Sequence, residues 1–384
     1  MRYLVYGLAR SGQAAIERLV ARGDDVVSAD RSLGNELDLD LLDGVEVLVK
    51  SPGVPGERPL VTLARERGIP VWSEVELAYR LLPGDTRIIG VTGTNGKTTT
   101  TELLGAIFHA AKRDVAVAGN VGTPLASVLS ADWIVCELSS FQLEDVDTFA
   151  CEVAVLLNLE PDHLDRHGSF QAYRDAKLRI FERARQKVVP RGLGYEGIEF
   201  SADDPLPAEP LIRGAHNREN AAAATAAARA AGIDEEAIAE GLRTFAGVPH
   251  RLEPVAEGNG VRFVNDSKAT NVAAARRGLA AYADEPVHLI LGGSLKGEDF
   301  APLAAAIGSN VKSVHLIGEA AAALGAAIPD GHDDGTLERA VAHAAAGAEP
   351  GDVVLLSPAC ASYDQYDNFE QRGEDFRRLS RIHS

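Results

Sequence analysis

The stretch GVTGTNGKTTT, residues 90–100, decides the fold. The apolar run RIIGVTG, from Arg87, feeds two glycines, a lysine and a hydroxyl in the order that phosphate binding requires. Gly93 and Gly96 free backbone amides to turn toward oxygens, as Thr94, Asn95 and Thr99 complete the loop. Lys97 supplies charge for β and γ phosphates, and Thr98 can ligate magnesium. The spacing departs from the common phosphate loop, because Val91 stands where its first glycine would be. Strand, loop and helix in that order predict a parallel α/β sheet.

Outward from the loop, apolar runs alternate with helix-like segments in three groups. In the first, RYLVYG leads to a helix near Ser11–Arg22, Gly23 stops it, and DVVSAD ends at Asp30. LLPGDTR, 81–87, reads as a linker. The second group continues through VAVAGN, WIVCELSS and VAVLLNLE to two helices, and AGVPHRLEP, 246–254, reads as a hinge because Gly247, Pro249 and Pro254 interrupt regular structure. The third runs VRFVNDS, VHLILGG, VKSVHLIG and DVVLLSPA.

A chain of 384 residues suits two or three domains. Its formal net charge of -18 opposes non-specific binding to nucleic acid or anionic membranes, so anionic ligands need local cations or metal ions. Cys136, Cys151 and Cys360 are odd in number and far apart, which fits neither a disulfide framework nor a thiolate zinc site. MRYLVYG lacks the parts of a signal peptide, and no apolar run of about 20 residues appears, so a cytoplasmic protein is expected.

The remaining motifs are weaker singly. GLARSG, residues 7–12, sits at a strand-to-helix turn, but Ala9 replaces the middle glycine of a dinucleotide fingerprint, which weakens a nicotinamide reading. Ser11 and Asp30 can still receive phosphate and sugar there. Glu137 in ELSSFQLE, at the C-terminal end of an apolar strand, and His163 in NLEPDHLDRHGS, a short distance after the next, fit a magnesium shell in which His163 acts through water. Lys177 in FQAYRDAKLRIF shares a helix face with Tyr173 and Ile180, and by itself is simplest as a solvated or ion-paired residue. NDSKATN (Asp266, Lys268, Thr270, Asn271), LGGSLKGEDF (Lys296) and LSPACASYDQYDNFEQRG (Ser357, Ser362) are three loops at one end of one sheet, which suggests a crevice. No Ser-His-Asp set is apparent.

Assembled, GTNGKTT, ELSSFQLE, HRLE, NDSKATN and SPACAS resemble the Mur ligase family over all three groups, the last two motifs matching its D-glutamate-adding branch. The resemblance implies three α/β domains: a Rossmann-like 1–85 for a uridine diphosphate substrate, a central P-loop ATPase domain 86–248 with a parallel sheet, and a Rossmann-like 249–384 for an amino acid. It implies ATP-dependent amide synthesis through an acyl phosphate, joining D-glutamate to UDP-N-acetylmuramoyl-L-alanine, with two Mg2+ ions and a monomeric enzyme.

By the same resemblance Lys97 holds phosphates, Thr98, Glu137, His163 and a carbamylated Lys177 serve the metals, and Arg251, Asp266 and Asn271 contact the nucleotide. Ser11, Asp30, Arg31 and Ser51 match the uridine diphosphate site, and Asn120 and His163 the muramoyl side. Thr270, Lys296, Ser362 and the amide of Phe369 match the amino-acid pocket. One departure is the short stretch GLGYEGIEFSADDPLPAEP, which falls at the edge of the central sheet. Competing readings are a sister ligase of the family, a nucleotide-driven switch and a nicotinamide dehydrogenase.

Overall fold

A computed structural model describes residues 1–295 and 297–384, so the expectation for Lys296 lies outside the described residues. Three sheets form. The first holds β1 (Arg2–Tyr6), β2 (Asp25–Ala29), β3 (Val47–Lys50) and β4 (Val71–Ser73), in the order β2-β1-β3-β4 and all parallel. Side chains alternate across it as the strand period demands. Leu4, Tyr6 and Leu48 pack on one face with Leu60, and Tyr3, Val5 and Val49 on the other with Leu19 and Leu77.

The second sheet holds β5 (Arg87–Thr92), β6 (Val115–Gly119), β7 (Trp133–Glu137), β8 (Val153–Leu156), β9 (Gln186–Pro190) and β10 (Ile198–Phe200). Its order is β10-β9-β8-β5-β7-β6, again all parallel. Strands covered on both faces must be apolar throughout. Ile134, Val135 and Cys136 of β7 are accordingly fully buried. The shortened stretch after residue 190 still supplies an edge strand, β10.

The third sheet holds β11 (Glu253–Gly258), β12 (Val261–Asn265), β13 (Val287–Gly292), β14 (Val311–Ile317), β15 (His332–Gly335) and β16 (Val353–Ala359), in the order β11-β12-β16-β13-β14-β15. Only β11 runs antiparallel to its neighbour among these described strands. Among the described residues no helix is long and apolar enough to cross a membrane. The Ala-rich segment is the helix Ala215–Ala230, whose Ala221, Ala224 and Ala228 are fully buried.

The chain divides into two compact units where three domains are expected. Met1–Leu211 with His216–Phe245 form one, and Ile212–Ala215 with Ala246–Ser384 the other. The division at Phe245 falls beside the interrupted segment 246–254. The first two sheets share a unit because buried charges join them. Glu76, fully buried on the helix Glu74–Leu81, accepts hydrogen bonds from the amides of Asp147, Thr148 and Phe149 and from the Thr148 hydroxyl. Burial pushes its pKa up, but those bonds outweigh burial and hold it low. Glu74 accepts from the Ala126 amide at 2.6 Å, and Lys50 pairs with Asp145 at 2.9 Å.

Candidate functional site

Within the first unit, β1 and β3 lie side by side, and the chain leaves β1 toward β2 on the opposite side. That makes the gap beyond their carboxyl ends a topological switch point, where open sheets bind ligands. A cavity of about 520 Å3 opens there. Ser11, Asp30, Arg31, Ser51 and Asn120, five residues expected from sequence, all line it. Arg10 and Arg58 add cationic side chains that the sequence reading did not single out. Asp30 is committed to the loop: it accepts from the Leu8 amide and from the Ser32 amide and hydroxyl, and the Ser32 hydroxyl, then the amides, draw its pKa down. Ser51 donates to the Gly7 carbonyl at 2.6 Å, closing the cavity floor.

The phosphate loop occupies the corresponding place beyond β5. Gly96 has φ +84° and immediately precedes the helix Lys97–Ala110, so the first amides of that helix face the loop. The loop is tied from several sides. Thr94 donates from its amide to the Asn158 carbonyl and shares a hydrogen bond with the Tyr173 hydroxyl at 2.9 Å. Asn95 donates to the Asn158 and Glu160 side chains. Lys97 donates to the Gly93 and Thr94 carbonyls at 2.8 and 2.9 Å. Thr98 and Thr99 are half-buried in the first turn.

Lys177 is not a solvated surface residue: it is 2% exposed. Tyr173, one turn earlier, is buried beside it, with the Lys177 nitrogen 4.8 Å from the ring centre. Lys177 donates to the Gly93 carbonyl at 2.7 Å. Burial first, and the Lys97 charge second, lower its pKa to about 7, while Asp162 and Glu137 act in the opposite sense. Lys97, Lys177 and Glu137 therefore share one electrostatic neighbourhood. Glu137 is buried and accepts from Asn120 at 3.0 Å. Glu102, on the helix behind the loop, has its pKa raised by burial and then by Glu137. His163 has φ +50° and stays half-exposed, its ring 4.9 Å from Phe141.

Among the described residues no three His, Cys, Asp or Glu side chains form a metal cage. What the loop offers is a threonine hydroxyl, one buried carboxylate and a histidine at the margin. That donor set fits a hard cation that takes most of its oxygens from phosphate and water. It fits zinc poorly.

Two further features of this unit escaped sequence reading. Asn217 and Asn220 project from the first two turns of the Ala-rich helix, buried and hydrogen-bonded to each other. A Cβ at Gly96 would lie 2.2 Å from the Asn220 oxygen, so this pair packs directly on the phosphate loop. Their spacing in HNREN, three apart before a run of alanines, was the available signal. Ser140, His167 and Glu144 form a hydrogen-bonded and ion-paired chain, 3.0 Å from Ser140 to His167 and 3.4 Å from His167 to Glu144. Its order is that of a nucleophile relay, yet Ser140 is 2% exposed, so the chain braces the His163 margin through Phe141.

In the second unit, Asp266, Thr270 and Asn271 follow β12, and Ser362 and Phe369 follow β16. Asp266 is buried, accepts from Ser357 at 2.7 Å and from the Leu252 amide, and burial raises its pKa to about 7. Asn271 caps the helix Val272–Ala280, its side chain accepting from the Ala274 amide. That commits an oxygen expected to serve the nucleotide. Arg251 is exposed. Ser362 is buried, and Phe369 opens the helix Phe369–His383 with the Lys268 nitrogen 3.7 Å above its ring.

Three parallel-rich sheets, a phosphate loop and a lysine buried against it define a class of nucleotide-dependent ligase. Residues 91–191 match the family described as Mur ligase middle domain, and residues 250–360 that described as Mur ligase, glutamate ligase domain. The chain belongs to the Mur ligase family. Within it, the chain is similar to the UDP-N-acetylmuramoylalanine--D-glutamate ligases. That of Sphingopyxis alaskensis is 42% identical, covering 98% of this chain and 96% of the relative, and that of Anaeromyxobacter dehalogenans 43%, covering 99% and 97%. The fold is also that of the UDP-N-acetylmuramate-alanine ligase of Thermotoga maritima, with TM-score 0.65 at 17% identity and full coverage of both chains. FolC of E. coli, solved with DHPP and ADP, gives TM-score 0.61 at 20% identity over 81% of this chain and 92% of that one.

Proposed function

We propose that this chain is the ATP-dependent ligase that adds D-glutamate to UDP-N-acetylmuramoyl-L-alanine in the making of peptidoglycan precursors. The observation that carries the reading is the convergence of Lys97 and Lys177 on the Gly93 carbonyl inside the phosphate loop. The γ-phosphoryl group passes to the substrate carboxylate, and the amine of D-glutamate then displaces phosphate from the acyl carbon. This chemistry needs positioning and charge neutralisation more than a protein nucleophile.

Each group has a role within that reading. Lys97 and the amides beyond Gly96 hold the β and γ oxygens. Asn217 and Asn220 close the loop from behind and extend the nucleotide pocket, while Arg251 and Asp266 serve phosphate and ribose. Magnesium, two ions in our reading, supplies charge neutralisation when bound, held by Thr98, Glu137 and, at the margin, His163. Lys177, with its pKa brought down to about 7, has a substantial neutral fraction that can take up carbon dioxide. The resulting carbamate is an anion and suits a residue that faces cations. The cavity beyond β1 and β3 receives the uridine diphosphate: Arg10, Arg31 and Arg58 meet its charge, and Ser11 and Ser51 its hydroxyls and phosphates. Thr270, Lys296, Ser362 and the Phe369 amide bind D-glutamate. We assign the functional lobes as 1–85, 86–248 and 249–384.

The test is phosphate release from ATP. It should require both UDP-N-acetylmuramoyl-L-alanine and D-glutamate, with L-glutamate and L-alanine inactive as replacements. Turnover independent of the two substrates would instead favour a nucleotide-driven switch.

A further inference from the structure

Arg372 heads the largest fully buried side chains of the molecule, at 1% exposure. It sits in the first turn of the helix Phe369–His383 and reaches back under the ends of three strands. Its Nε donates to the Ser267 hydroxyl at 3.0 Å, and Nη2 to the carbonyls of Ser267 and Cys360, both at 3.0 Å. Nη1 donates to the carbonyls of Gly292 and Ala361 at 3.3 and 3.2 Å. Every acceptor is neutral.

Among the described residues no carboxylate is ion-paired with this guanidinium. Asp364 acts on it only at longer range, and itself accepts from the Glu319 amide and the Ser294 hydroxyl. Burial lowers the Arg372 pKa to about 10, which leaves it charged at neutral pH. An unpaired buried cation is costly, and such costs gather where function requires them.

The surrounding backbone is shaped around the guanidinium. Gly293 has no room for a side chain: a Cβ there would lie 2.0 Å from the Ala361 carbonyl oxygen and 2.9 Å from Nη1 of Arg372. Ala359, a residue with a side chain, is held at φ +60° just before the two carbonyls that Arg372 collects. Ser267, besides binding Arg372, donates to the Phe369 carbonyl at 2.8 Å. Arg372 thus fastens the loop after β12, the end of β13 and the loop after β16 to one helix turn. Thr270 lies three residues beyond Ser267, Ser362 directly follows Ala361, and Phe369 lies three before Arg372.

We propose that Arg372 is the positioning residue of the amino-acid pocket, setting the Thr270, Ser362 and Phe369 segments and making the crevice selective for an amino acid with a second carboxylate. The proposal rests on the ligase reading above. The uncompensated charge favours a substrate side chain that ends in a carboxylate over a neutral one, and the five hydrogen bonds fix the loops before the substrate arrives.

Steady-state phosphate release by Arg372→Lys and by Ser267→Ala tests it, each substrate varied in turn. Lysine keeps the charge but loses the fork that spans three loops. The KM for D-glutamate should rise about tenfold or more, with those for ATP and UDP-N-acetylmuramoyl-L-alanine within about twofold of the parent. In Arg372→Gln the ratio of kcat/KM for D-glutamate over D-glutamine should shrink as well, since the charge itself is gone. If Arg372→Lys does not fold, the milder Ser267→Ala carries the same KM pattern. A uniform change in all three KM values, or a fall in kcat alone, would overturn the proposal. A parent protein without D-glutamate-dependent phosphate release would sink the ligase reading itself, before any variant is compared.

Discussion

Lys97 and Lys177 donate to the same carbonyl oxygen, that of Gly93, at 2.8 and 2.7 Å. Two amines on one acceptor crowd positive charge, and burial together with the Lys97 charge drives Lys177 toward its neutral form, the form that the carbamate proposed above requires. Lys177→Ala should therefore lower phosphate release by about 100-fold or more, the scale seen when a key electrostatic group is lost. Added formate or acetate should restore part of the rate by standing in for the oxygens of the carbamate proposed at Lys177. A variant with parental activity would refute the role.

Gly96→Ala should disable nucleotide binding while leaving the protein folded. At φ +84° a side chain is strained by about 1 kcal/mol or more, and its Cβ would lie 2.2 Å from the Asn220 oxygen. Calorimetric titration with magnesium and a non-hydrolysable ATP analogue should show a loss of roughly 10- to 100-fold. An unchanged Kd would show that the loop tolerates displacement of Asn220.

Glu76→Ala should destabilise the first unit by about 3–5 kcal/mol, the range for removing one partner from a buried charged network. It would strand the amides of Asp147, Thr148 and Phe149 and leave Arg80 with Asp147 alone of its two carboxylate partners. Urea unfolding would measure the loss, and a shift below about 1 kcal/mol would contradict the coupling of the first two sheets through this carboxylate.

Glu74 gives a pH-dependent counterpart. Burial raises its pKa from 4.5 to about 7, with the Ala126 amide as the one opposing influence. The folded state thus holds a proton that the unfolded chain has lost, so this residue's contribution is full below about pH 4.5 and disappears as pH rises through about 7. Glu74→Gln keeps the acceptor for Ala126 and removes the ionisation. Urea unfolding should show the variant gaining on the parent between pH 5 and pH 8, by up to about 3 kcal/mol. Parallel stability profiles for the two proteins would exclude the assignment.

The phosphate loop was legible because its chemistry is local: two glycines, a lysine and a hydroxyl after an apolar strand are adjacent in sequence and in space. Of the cavity beyond β1 and β3, Ser11 and Asp30 were legible from the strand-to-helix turn and the tip of the second strand, whereas Arg31, Ser51 and Asn120, which line it with them, came only from the family resemblance. The union of the first two sheets was not legible. SEVELAYR has the acidic look of a surface helix, and only tertiary packing shows that Glu74 and Glu76 face inward. Arg372 hides in the same way within FEQRGEDFRR, among charges that are mostly solvated. Asn217 and Asn220 were masked by the alanines beside them. Lys177 illustrates the limit of helical periodicity, which put it with Tyr173 and Ile180 on one face but could not say that the face was covered.

Among the described strands all neighbours except β11 and β12 run parallel, so nearly every pairing must wait for an intervening crossover to close. Such topology slows folding, because the chain spends entropy on distant contacts before they reward it. Refolding from denaturant should consequently be sluggish and prone to aggregation through exposed strand edges, whereas synthesis from the N-terminus lets the first unit close before the second has emerged.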